Sequence, residues 1–101
     1  MGQFKLDARA RLSINIALAA AGGDDERLRL AEQSARSLGF TGAELDALRQ
    51  GSSFDFQLSR AIALALAPNS DNRDRGRRAG LDERVCQAIE AIAAGRSGLL
   101  T

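Results

Sequence analysis

The chain has 101 residues, 45% of them hydrophobic, which fits one compact domain and is too short for two ordinary ones. Lys+Arg 14 against Asp+Glu 13 leaves a net charge of +1, so no global field steers the chain toward nucleic acid or an anionic membrane. His 0 and Cys 1 exclude histidine-based acid–base chemistry, an internal disulfide and a two-thiol redox motif, while Trp 0 and Tyr 0 remove the usual stacking surfaces for bases or sugars.

Abundant alanine and leucine, few β-branched residues and a single proline favour helix almost throughout. Asp7 is a candidate N-cap for a first helix ending near Ala21, where Gly22 and Gly23 offer positive φ at no steric cost. Leu12, Ile14, Ile16 and Leu18 fall on more than one face of it, which predicts a central helix with Ser13 and Asn15 bonded locally or facing a partner. Asp24 and Asp25 then cap a second helix whose Leu28, Ala31, Ala35 and Leu38 recur at three- and four-residue intervals, closed by Gly39. Its outer face pairs Glu26 with Arg29 and Glu32 with Arg36 at ion-pair spacing.

The most specific local signal follows. Thr41 and Glu44 make a capping box, with Phe40 and Leu45 as its hydrophobic staple, so a short helix starts at Thr41 and ends before Gly51. Ser52, Ser53 and Asp55 offer caps for a fourth helix with Leu58, Ile62, Ala65 and Leu66 inward, stopped by Pro68. Residues 69–78 turn to Asn, Ser, Asp, Arg and Gly and are expected to form a polar connection with at most one loose helical turn. Asp82 caps a last helix with Val85, Ile89 and Ile92 inward, closing at Gly95 before a flexible tail over 96–101. The expectation is a single all-α domain over 1–101, a compact bundle of five to six helices with its core over about 6–94.

No apolar run approaches the roughly 20 residues that span a bilayer. The first residues lack the order of a signal peptide, so a reducing cytoplasm is expected. A core this small makes self-association a natural supplement.

Four features admit a sharper reading, and in each the ordinary structural one is stronger. Asp24, Asp25 and Glu26 are consecutive carboxylates that point in different directions, and N-capping explains them better than a metal site. Gly22-Gly23 has no preceding strand and no following lysine, and Asp24 would repel a phosphate. Arg73, Arg75, Arg77 and Arg78 could belong to a small helix-turn-helix nucleic-acid binder, yet Asp71, Asp74, Asp82 and Glu83 interleave or flank them, which favours a solvated loop. Cys86, between Val85 and Ile89, reads as a buried structural thiol.

The order of elements is similar to that of the alkylhydroperoxidase D-like, or carboxymuconolactone decarboxylase, superfamily. Residues 11–23 (RLSINIALAAAGG) resemble its first core helix, 34–45 (SARSLGFTGAEL) its Gly-hydrophobic-Thr-x-x-Glu segment, and 79–85 (AGLDERV) its later Gly-Leu helix start. Peroxidase members carry two cysteines and a histidine on the second helix, a pairing that allows disulfide chemistry with proton transfer. By that resemblance the positions fall on Asp24, Arg27 and Ala31, and the family's first-helix glutamate falls on Leu12. The decarboxylase branch resembles a histidine-bearing site in the same region, which this chain also lacks.

The resemblance therefore implies a retained fold with its redox site replaced: no thiol peroxidase activity, no cofactor, no metal and no catalytic residue. A degenerate family pocket between the first two helices would offer Ser13, Asn15, Asp24, Arg27 and Gln33 as ligand contacts. The function expected first is a self-associating or ligand- or protein-binding helical module, with a homo-oligomer the expected assembly. A decarboxylase-like enzyme with a rebuilt site comes second, and a nucleic-acid binder third.

Overall fold

The structure, a computed structural model, describes residues 3–98, with side chains to residue 95. It holds six helices and, among the described residues, no strand: α1 (Ala8–Ala21), α2 (Asp25–Ser37), α3 (Gly42–Arg49), α4 (Phe56–Leu66), α5 (Ser70–Arg78) and α6 (Glu83–Gly98). Each of the first five starts on a side-chain cap. Asp7 accepts from the Ala10 N–H at 2.8 Å, Asp24 from Arg27 at 3.1 Å, Asp55 from Leu58 at 3.0 Å and Asn69 from Asn72 at 2.9 Å. Both bonds of the Thr41–Glu44 capping box are present, and Phe40 and Leu45 beside it are buried in the core.

α1 is central, as its multi-sided apolar pattern predicts. It buries Ile14, Ile16, Ala17, Leu18 and Ala19 and packs against α2, α3 and α4, while α4 in turn carries α5 and α6. Ile14, Ile16, Ile62 and Leu64 are fully buried at this junction. Each contributes roughly 1.5–3 kcal/mol of transfer free energy relative to an exposed side chain.

Two members of the expected inward stripes are not inward. Leu38 is 55% exposed because it is the C-cap of α2, where the chain turns through Gly39 away from the helix. Leu66 is 38% exposed at the end of α4, where it covers the turn at Gly51. That turn requires glycine twice over, since Gly51 has φ +80° and a Cβ there would stand 3.0 Å from Leu66 Cδ1. The Glu26–Arg29 pair forms at 3.1 Å, whereas Glu32 pairs with Arg49 on α3 instead of with Arg36.

The largest correction concerns 69–78. In place of a polar connection the chain forms α5, a helix in which Gly76 alone is buried. Its anchors are tertiary. Asn72 donates to the Ala67 and Ala63 carbonyls at 2.9 and 3.3 Å, closing the C-terminal end of α4. Arg73 reaches across to Glu83 and Glu90 on α6, its Nε–H donating to Glu90 Oε2 at 3.0 Å. Gly76 lets Leu81 approach so closely that an added Cβ would meet Leu81 Cδ2 at 3.3 Å. The last helix also differs from expectation, continuing past Gly95 to Gly98, so the tail expected over 96–101 is helical as far as 98 and lies outside the described residues beyond it.

Candidate functional site

Ahead of α1, residues 3–7 form no helix or strand. Phe4 is buried, and its N–H donates to the Gly80 carbonyl at 3.4 Å, so this segment crosses the turn between α5 and α6. Between it, α1, the start of α3 and the loop leading into α4 lies a cavity of about 490 Å³. Its apolar walls include Phe4, Phe40, Leu48, Phe54 and Leu58, and its polar lining includes Lys5, Arg9, Ser13, Glu44 and Gln57.

Four of these polar groups, Arg9, Ser13, Glu44 and Gln57, are already engaged. Arg9 donates to Glu44 at 2.7 Å and lies with its guanidinium carbon 3.9 Å from the centre of the Phe40 ring. That partner matters, because a cation in the first turn of α1 opposes the helix dipole. The Ser13 hydroxyl donates to the Arg9 carbonyl at 2.9 Å, and the Gln57 amide donates to the Ala79 carbonyl at 2.8 Å. The Thr41 backbone N–H, reinforced by Arg9, holds the Glu44 carboxyl below the usual glutamate range. Asp7 and Asp55, the other carboxylates on the wall, are N-caps.

The five residues expected to form a site between α1 and α2 differ in their surroundings. Ser13 is buried and borders the cavity described above. Asp24 and Arg27 do meet, as an exposed pair with 3.6 Å between Arg27 Nε and Asp24 Oδ2, and Asn15 and Gln33 are exposed. Phe4, Arg9 and Leu48 carry no site signal in the sequence, and Phe40 and Leu58 are legible there only as staple and core residues. One signal was available for Phe54, a large apolar residue between Ser53 and Asp55 that belongs to no helical stripe.

Cys86 is fully buried on α6, and burial raises its pKa. Among the described residues, no three His, Cys, Asp or Glu side chains group so that they could hold a metal ion, and no helix is long and apolar enough to cross a membrane. No family model, curated protein or solved structure matches the chain.

Proposed function

We propose that the protein is a non-catalytic helical module of alkylhydroperoxidase D-like type that binds a small, largely apolar ligand in the cavity beside α1, working in the cytoplasm. The cavity itself carries this reading: about 490 Å³ lined by three phenylalanines and two leucines lies within the roughly 300–1,000 Å³ of small-molecule sites. A central first helix, an amphipathic second and a capping-box third is the order that the family resemblance implies. The enzyme reading is weaker, since general acid catalysis calls for a carboxyl with a raised pKa and Glu44 is displaced the other way. The helix-turn-helix reading is weaker still, because Arg73 and Arg77 are paired with carboxylates of α6.

The neutral fluorophore N-phenylnaphthylamine tests the proposal. Saturable binding is expected, weakened about fivefold by Phe54→Ala through lost apolar contact and left unchanged by Phe56→Ala. Absence of saturable binding, or indifference to Phe54→Ala, would sink it.

A second reading, self-association, has its own support. α2 packs on α1 and turns its other side outward, with Leu30 and Leu38 both about half exposed two helical turns apart.

A further inference from the structure

The four arginines of α5 do not form one basic face. Arg73 and Arg77, four residues apart, turn toward α6 and pair with Glu83 and Glu90, with 3.7 Å between Arg77 Nε and Glu83 Oε2. Arg75 and Arg78, three apart, look the other way. There they meet Arg60 of α4 and the ring of Phe56 around a hollow of about 310 Å³, walled also by Ala79. Phe56 is 56% exposed, and the Arg60 guanidinium carbon lies 5.5 Å from its ring centre.

The charges here are out of balance. Arg75 has Asp71 at 3.2 Å, but among the described residues no carboxylate stands within ion-pair distance of Arg60 or Arg78, although Asp74 lies one turn before Arg78. The α5 dipole, worth about half a negative charge at its C-terminus, accounts for arginines in its last turn. It does not account for Arg60, which sits on another helix, or for a phenylalanine held at the surface beside them. Three guanidiniums against Asp71, the more distant Asp74 and half a dipole charge still leave a net attraction for an anion.

We propose that this hollow binds a nucleoside monophosphate unit, independently of the cavity beside α1. Planar guanidiniums match phosphate oxygens in pairs, so Arg75 and Arg78 hold the phosphate. Phe56 and the flat guanidinium of Arg60 offer the π surface on which a base stacks. The volume sits at the small end for ligand sites, enough for one nucleotide and not for a run of them. Such a unit comes either free or from the end of a single strand.

Titrating ¹⁵N-labelled protein with AMP, adenosine, inorganic phosphate and a short oligothymidylate reads the site by amide shifts. AMP is expected to perturb Phe56, Arg60, Arg75, Arg78 and Ala79, with adenosine and phosphate each weaker at the same amides and AMP affinity falling with salt. Arg60→Gln and Arg78→Gln should each weaken AMP about tenfold or more, and Phe56→Leu should remove the advantage of AMP over phosphate. Arg77→Gln, on the opposite face, should leave AMP binding unchanged. Oligothymidylate binding more tightly than AMP at these amides assigns the unit to a strand; equal or weaker binding assigns it to a free nucleotide. No shifts at millimolar AMP, or shifts that persist in the folded Arg60→Gln/Arg78→Gln variant, would overturn the proposal.

Discussion

Arg73 attaches a nine-residue polar helix to α6, and one of its partners, Glu90, records the attachment in its titration. Hydrogen bonds from Arg73, aided by its charge and opposed by burial, hold the Glu90 carboxyl below the ordinary glutamate range. A folded-state pKa below the unfolded one means that the folded chain binds fewer protons. The resulting stability is present in full above the unfolded value, about 4.3, and is lost as pH falls through the folded value. Glu44 adds a contribution of the same sign. Urea midpoints should therefore hold steady from neutral pH to about pH 5 and decline below it, with a shallower decline in Glu90→Gln. Equal acid slopes in the two proteins would contradict the assignment.

At the scale of elements, α5 shows how a segment without an apolar stripe becomes a helix. Nine residues are too few to be helical alone in water, since a nucleus costs more than so few bonds return. Asn69 caps the first turn, Asn72 bonds back to the last carbonyls of α4, and the Leu81 N–H donates to the Gly76 carbonyl at 2.9 Å. Asn72→Ala removes two of these bonds, which costs about 1–2 kcal/mol at roughly 1 kcal/mol each. Hydrogen exchange in α5 should speed up more than in α1, because the bonds lost join α5 to α4 and leave the central packing untouched. Uniform acceleration across all six helices would show that α5 is not a separable unit.

For the whole molecule, a radius of gyration of 12.7 Å is close to the roughly 13 Å of a compact chain of this length, yet large apolar side chains remain outside. Leu30, Leu38, Phe54 and Phe56 are each at least half exposed. Phe54 borders the cavity and Phe56 the arginine hollow, which leaves Leu30 and Leu38 on α2 as the natural seam between copies. Light scattering should give a mass at least twice the 10.7 kDa of the chain, returning to monomer in Leu30→Glu/Leu38→Glu without loss of helix content. A wild-type monomer at high concentration would remove self-association from the account.

The helices with apolar periodicity were legible in the sequence. Caps at Asp7, Asp24, Thr41 and Asp55, and the stripes they open, are local devices, and local physics determined where those helices start. Only the tertiary structure decided α5, because its stabilising partners Ala63, Glu83 and Glu90 on other helices, and Ala67 at the C-cap of α4, leave no periodic mark on its own residues. The same holds for the cavity. Ser13 was identified as a candidate, but Phe4, Phe40 and Phe54 come from three separate segments, and their convergence depends on how α1, α3 and α4 pack. The basic stretch makes the point most sharply. Its composition was visible at once, but whether each arginine meets a carboxylate or an open hollow depends on helical phase and on Arg60, thirteen residues before Arg73.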